Sequence, residues 1–369
     1  MAEYWLGAHH LAPSSLITES GKKNLEEFIA ADKEKILGQT ISKKFKRLPF
    51  LLKLLDVKDM LSIQVHPSKH EAEIGFAKEN KTGIPIDSAQ RNYRDDNHKP
   101  ELMVALSDFW LLHGFKPVEK LINILDSLPE FKMLLEIFNS TGYDQLYKTV
   151  MEMPQATVNE ILQPLLERIT PLYHQHKLQK NEEHFWAARA DLNFRDGEKI
   201  DRGIFSIYFL NLIQLQKGEG IFQDAGILHS YLEGKNVEIM ANSDNVLRGG
   251  LTTKNVDVKE LMRHVKFEET IPVILHPIKS GNEDVFFTAA PDFKLIHYRL
   301  KAGETTSFHS ATAEILLLIE GKVLLQAASE QLNLFKGEAS FIVSGTNTAI
   351  RAEADAEFFR ATVPVHMSE

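Results

Sequence analysis

The sequence predicts a mainly β protein with a helical insertion: two related jelly-roll barrels plus an α-helical domain set into the first. Three observations predict it. Apolar residues follow a helical period between about residues 117 and 195, whereas short strand-like apolar runs lie on either side. A Lys-Gly-Glu turn sequence recurs in both β-rich halves, each time after such a run. The 369 residues also exceed one comfortable hydrophobic core, so two or three domains are expected.

Residues 50–66 and 100–112 carry apolar runs punctuated by polar residues, which suits strands and short helices of a compact core. The mixed-charge stretch Glu26 to Lys35 reads as a solvated helix. From about residue 117 the stripes become helical: Leu121, Ile122 and Leu125, then Met133, Leu134, Leu135 and Phe138. Leu162, Leu165, Leu166 and Ile169 follow i, i+3, i+4, i+7, and Thr157 and Glu160 stand ahead of them in capping-box spacing. Pro164 predicts a kink or a break there.

After Gly203 the pattern turns β-like, with Ile204 to Gln216 ending at Lys217-Gly218-Glu219. Lys217-Gly218-Glu219-Gly220-Ile221-Phe222 is similar to Lys336-Gly337-Glu338-Ala339-Ser340-Phe341, and Gly226 and Gly345 follow at the same offset. A further turn, Lys301-Ala302-Gly303-Glu304, extends the β reading toward the C-terminus. Chance is the rival explanation, since Lys-Gly-Glu is a common turn tripeptide. Counting twelve positions on from Lys217 and Lys336 gives His229 and Thr348, so a metal bound through His229 has no equivalent ligand in the second half. That half is expected to be structural. The expected division is 1–116 with 196–262 for the first barrel, 117–195 for the insertion and 263–369 for the second barrel.

Composition narrows the function. Hydrophobic residues at 43% and charged residues at 25% are ordinary for a globular protein. A formal charge of −9 lacks the basic footprint of a nucleic-acid or anionic-membrane binder, so neither partner is expected; local Lys and Arg clusters can still hold an anionic small molecule. With no cysteine, disulfides and thiolates are excluded, and any metal must be held by His, carboxylate or amide. Met-Ala-Glu-Tyr-Trp opens the chain without a signal-peptide pattern, and the longest apolar runs, such as Ile315 to Ile319, are too short for a bilayer. A cytoplasmic monomer is the expectation.

Ser62-Ile63-Gln64-Val65-His66-Pro67 is strand-like, and residues i and i+2 of a strand share a face, so Gln64 and His66 can approach one ion. Asn97-His98-Lys99-Pro100-Glu101 is a dense polar cluster before an apolar run, and His229 follows a turn. Gln64, His66, Glu101 and His229 would supply one amide oxygen, two imidazoles and one carboxylate, a set that suits zinc, with manganese or cobalt as substitutes. One carboxylate leaves a divalent ion about one positive charge for a developing enediolate. Each residue also has an ordinary reading: Gln-x-His is a common strand sequence, Glu101 beside Lys99 suits a surface ion pair, and His229 suits a satisfied loop histidine.

Four segments are similar to the type I phosphomannose isomerases of the cupin superfamily. Ala2-Glu3-Tyr4-Trp5-Leu6-Gly7-Ala8-His9 resembles the family's early segment. Leu61 to Pro67 and Tyr93 to Glu101 resemble its two upstream metal motifs, and Gly226 through Lys254 resembles its longest signature. The similarity covers most of the chain and is weakest in the helical insertion. It implies two cupin-type jelly-roll barrels, one zinc ion per chain held by Gln64, His66, Glu101 and His229, and a small-molecule sugar phosphate as partner. By the same resemblance Arg248 is the active-site arginine; Tyr231, Glu238, Asp244, His98 and Lys99 line the pocket; Lys53, Ser62 and Lys254 hold the substrate phosphate. Three departures stand out. Roughly one or two further strands usually precede Ala2, so the first strand is expected to be an open edge. His10 stands where the family often has Pro, and Thr348 replaces any second ligand.

The implied reaction interconverts mannose 6-phosphate and fructose 6-phosphate through a cis-enediolate. Glu238 is the leading base, with Tyr231, Asp244 and Lys99 as rivals; Glu238 and Asp244 could equally orient Arg248 and Lys254, and Arg248 could serve only to bind phosphate. A sugar-binding regulator and a cupin of other metal chemistry, an oxygenase or epimerase, are the competing classes. His174 and His176 are expected to face solvent, and His309 to be a degenerate barrel position.

Overall fold

The computed structural model describes residues 2–19, 21–280 and 283–364. Its framework is β: two sandwich-like units pack side by side, and helices cover one flank of the first. In the first unit the strands Ala2–Leu6, Phe50–Val57, Glu101–Ala105 and Gly220–Gln223 join the C-terminal half of a long strand, His229–Ala241. The N-terminal half of that strand pairs with Gln64–Val65 and Phe109–Phe115, which extend to Leu247–Arg248 and Leu210–Leu215. The long strand therefore belongs to both faces. It shifts register between Tyr231 and Glu233, next to Gly234, where a Cβ would lie 2.5 Å from the Phe109 ring.

The near-continuous apolar run of Phe50–Val57 follows from burial on both sides. Leu55 and Val57 face the interior with Met103, Leu111, Ile213 and Ile221. Phe50 and Leu52 face outward, where they meet Leu295, Ile315, Leu317 and Phe359 of the second unit. That shared core joins the two units. Within the second unit, a six-stranded sheet centred on Lys294–Leu300 and Ala356–Thr362 faces a four-stranded sheet containing Lys322–Ala327 and Thr346–Ala352, with Tyr298, Leu316, Val323 and Ile350 between them. Among the described residues, strand pairing does not close a barrel in either unit.

The recurring turns share one construction. In 216–219, 301–304 and 335–338 the fourth residue is Glu, and its carboxylate accepts from the backbone N–H of the first, at 2.8, 2.7 and 2.9 Å. The third residue is Gly at φ 91, 85 and 83°, the conformation a type II turn requires. As expected, Ala2–Leu6 is an edge strand, paired among the described residues only with Phe50–Val57.

The helices Val118–Asp126, Lys132–Glu152, Gln155–His174 and Glu183–Phe194 occupy the region where helical stripes were expected. Two details differ. Gln155–His174 runs straight through Pro164, which is solvent-exposed, so the carbonyl it leaves unpaired can be hydrated; the helix break comes instead at Gly142. Thr157 and Glu160 lie inside that helix rather than capping it, because Pro154 starts the helix earlier. The β reading of Ile204 to Gln216 holds only from Leu210: Gly203–Phe209 is a helix, buried on every side, so its sequence carries no polar face to reveal the period. Glu26 to Lys35 forms parts of two helices broken at Asp32, and it buries Ile29 in the core between the units rather than being wholly solvated. No helix is long and apolar enough to cross a membrane among the described residues.

Candidate metal centre and active site

Strand register brings the candidate donors together. Gln64 lies directly opposite His229, and His66 follows two residues after Gln64. Glu101 opens the neighbouring strand, opposite Met240 of the same long strand. The Nδ1 of His66 donates to the Asn245 carbonyl at 2.9 Å, and the Nδ1 of His229 donates to the Ile227 carbonyl at 2.9 Å. A carbonyl only accepts, so in each neutral ring the proton sits on Nδ1 and the lone pair on Nε2. Both Nε2 atoms face Glu101, each 3.4 Å from one of its two carboxylate oxygens. One ligand atom from each of the three residues lies within 4.8 Å of the others.

That arrangement fits a metal ion. The Nε2 of His66 is fully buried without a hydrogen-bond partner among the described residues. A buried lone pair aimed at a carboxylate is repulsive unless a cation shares the space. Burial pushes His66 down to about 4, so the ring stays neutral and able to ligate. Burial would raise the Glu101 carboxyl, but Lys99 at 3.0 Å and then His66 hold it well below the usual range. Gln64 Nε2 donates to Ser62 Oγ at 3.3 Å, which leaves its Oε1 to serve as a ligand.

A second group sits one layer deeper on the same face. Glu238, 3% exposed, accepts from the Tyr231 hydroxyl at 2.8 Å and pairs with Lys53 Nζ at 3.3 Å. Burial, then repulsion from Glu101, raises its pKa. Lys53 in turn lies over the Trp5 ring. Arg248, directly opposite Gln64, has no carboxylate partner among the described residues; burial, then the charge of Arg94, lowers its pKa. No ion pair joins Glu238 or Asp244 to Arg248 or Lys254 among the described residues. Asp244 pairs with His9 at 3.1 Å, and Lys254 is exposed. His98 reaches away to Asp292 of the second unit at 2.8 Å.

Comparison with known proteins decides the family. A family model of the phosphomannose isomerase type I catalytic domain matches residues 1–118. The mannose-6-phosphate isomerase of Escherichia coli K12 is 37% identical over 93% of this chain and 87% of its own. The chain belongs to the type I mannose-6-phosphate isomerase family. The human mannose-6-phosphate isomerase is 31% identical over 95% of this chain and 85% of its own. Among solved structures, a mannose 6-phosphate isomerase from Salmonella typhimurium bound to its substrate and a zinc atom superposes with a TM-score of 0.87, at 34% identity, over 99% of this chain and 91% of that one.

Within this mannose-6-phosphate isomerase family member, several site residues escaped sequence reasoning. Asn245 is one: its carbonyl holds His66, while its side chain ties down Arg94, Asp95 and Asn97. Asp95 accepts from Ser243 Oγ and the Asp244 N–H. His9 has the opposite tautomer to the metal-facing histidines. Its Nδ1 accepts the Leu11 N–H at 3.3 Å, so its Nε2 carries the proton toward Asp244 and offers no lone pair there. His113, opposite His229, and Gln223, opposite Glu101, also share the interior face. Only strand register, unseen in the sequence, could have found them. His174 and His176 are exposed as expected; His309 is also exposed and its Nδ1 lies 2.9 Å from Asn347 Oδ1.

Proposed function

We propose that the chain is a zinc-dependent aldose–ketose isomerase interconverting mannose 6-phosphate and fructose 6-phosphate. The observation that carries this is the convergence of His66 Nε2, Glu101 and His229 Nε2, with both Nδ1 atoms already committed to carbonyls. The substrate and zinc bound in the Salmonella relative, and its 0.87 TM-score, support sugar phosphate and metal alike. Gln64 completes the donor set. Zinc held there supplies Lewis-acid charge for the oxygens on carbons 1 and 2.

The chain's own residues do the rest. Arg248, with Ser62 and Lys254 nearby in sequence or strand pairing, binds the phosphate; a guanidinium with no carboxylate partner among the described residues, whose charge is felt together with that of Arg94, suits a dianion. Lys53 is already paired, so its role in this reading is to hold Glu238 and set its charge. Glu238 takes the proton from carbon 2 of the open-chain aldose and returns it to carbon 1 of the cis-enediolate, while the hydroxyl proton passes from the oxygen on carbon 2 to that on carbon 1, with Tyr231 orienting Glu238. Lys99 keeps Glu101 ionised, and Asp244 and His98 shape the wall. We read the fold as two cupin-type jelly rolls, 1–116 with 196–262 and 263–369, with 117–195 inserted, in a cytoplasmic monomer. The paired turns at 216–219 and 335–338 support the duplication.

Metal analysis combined with a coupled assay on mannose 6-phosphate tests the function. Stoichiometric zinc and turnover that chelation abolishes and zinc restores are expected. Full zinc occupancy without turnover would sink the enzymatic reading in favour of a sugar-binding regulator.

A further inference from the structure

Strand register places two more polar side chains in the same girdle as the metal donors. Along one sheet, Gln64, His229 and His113 lie directly side by side on three neighbouring strands. In the other, Gln223 lies directly opposite Glu101. Directly opposed residues project from one face, so all five enter the same interior. His113 is 5% exposed and Gln223 is fully buried. The Nδ1 of His113 donates to Gln223 Oε1 at 2.6 Å, joining the Phe109–Phe115 strand to the Gly220–Gln223 strand, which share no backbone pairing. With that oxygen taken, the amide's other polar atom, Nε2, is buried without a hydrogen-bond partner among the described residues.

We propose that His113 and Gln223 are a positioning pair for the metal centre. His113 locks the Gln223 amide so that Nε2 is a fixed donor for the water or sugar oxygen that shares the site beside Glu101. This deepens the reading of His66, Glu101 and His229 as metal donors and rests on it. Two physical reasons favour the pair. A neutral amide donor orients that water or sugar oxygen without adding charge, whereas a second cation next to Lys99 would compete with the metal for Glu101. A bond between strands that lack backbone pairing also ties the Phe109–Phe115 strand, beside His229, to the Gly220–Gln223 strand, beside Glu101, and a metal needs its donors held before it arrives. His113 lies outside the cluster of converging ligand atoms, so it acts through Gln223 rather than as a ligand.

The test uses Gln223→Met, which keeps length and removes the amide, His113→Phe, and the double variant. Three quantities are read: zinc affinity by chelator competition, the visible spectrum of the cobalt-substituted protein, and the melting midpoint of the metal-free protein. Each single change is expected to weaken zinc binding about 10- to 100-fold and to shift the cobalt bands. The double variant should be no worse than the weaker single, because the two residues act as a unit. Metal-free melting should stay within roughly 3 °C of wild type. Unchanged affinity and spectrum in both singles overturn the proposal, as does a loss of affinity that merely tracks a lower metal-free midpoint. Wild-type protein that takes up neither zinc nor cobalt overturns the metal reading itself, and the pair with it.

Discussion

His66 and Asn245 are 179 residues apart in the chain, yet the His66 ring donates to the Asn245 carbonyl at 2.9 Å. The Asn245 side chain accepts from Arg94 N–H at 2.7 Å and donates to the Asp95 and Asn97 carbonyls at 2.8 Å each. One residue thus sets the tautomer of a candidate metal donor and anchors the loop that leads to Glu101. Asn245→Ala leaves these loop groups unpaired. It should cost about 1–3 kcal/mol of stability and weaken zinc binding about 10- to 100-fold, read by thermal melting and chelator competition.

Glu238→Gln removes the proposed proton acceptor but keeps the shape and the Tyr231 contact. Turnover should fall about 10²- to 10⁴-fold with zinc content and KM little changed. Near-normal turnover would transfer the proton-moving role to Asp244 or Lys99.

Arg248→Lys keeps the charge but loses the planar fork that grips a phosphate. KM for the sugar phosphate should rise about tenfold or more, and inhibition by inorganic phosphate should weaken in parallel. A drop confined to kcat would instead place Arg248 at the reacting carbons.

Gly75 packs against a ring that has no room to move. A Cβ at this helical position would lie 2.3 Å from Tyr93, whose hydroxyl is held by Glu260 and His264 at 2.5 Å each. Gly75→Ala should destabilise the protein by about 1–3 kcal/mol through overpacking, although Ala is the better helix former. A melting point at or above wild type would contradict this.

Glu357 links the two β units. Its hydrogen bond to His297 at 3.0 Å, joined by Lys217 at 2.7 Å, holds the carboxyl down at about 2. The folded-state value is depressed, so its stabilisation is complete above the ordinary carboxylate range and is lost as pH falls from about 4.5 through about 2. Glu357→Gln should therefore melt lower than wild type at pH 6, by about 1–2 kcal/mol, and the gap should narrow steadily below pH 4.5. A gap that widens toward acid would reverse the assignment.

Much of the fold and part of the site were legible in the sequence. The helical stripes from Leu121 to Ile169, the x-x-Gly-Glu turns and the shared face of Gln64 and His66 are all local patterns, written within a few residues of themselves. Residue chemistry also suggested Gln64, His66, Glu101 and His229 as a donor set, and family resemblance favoured that set over the ordinary readings that spacing alone left open. Where local pattern failed, burial explains it: Gly203–Phe209 is covered on every side and so shows no period, and Pro164 is tolerated because its broken hydrogen bond faces water.

The amino-acid sequence by itself determined which residue types were available: no thiolates, histidine and carboxylate donors in suitable strands, and turns that force the chain to double back. Tertiary structure decided which of them meet. The hold of Asn245 on His66 depends on how distant loops pack, whereas the pairing of Lys53 with Glu238 and the contact of His113 with Gln223 depend on strand register. Register is set by how distant segments bury their apolar faces together, and a one-residue slip would send Lys53, Glu238, His113 or Gln223 to the other side of its sheet.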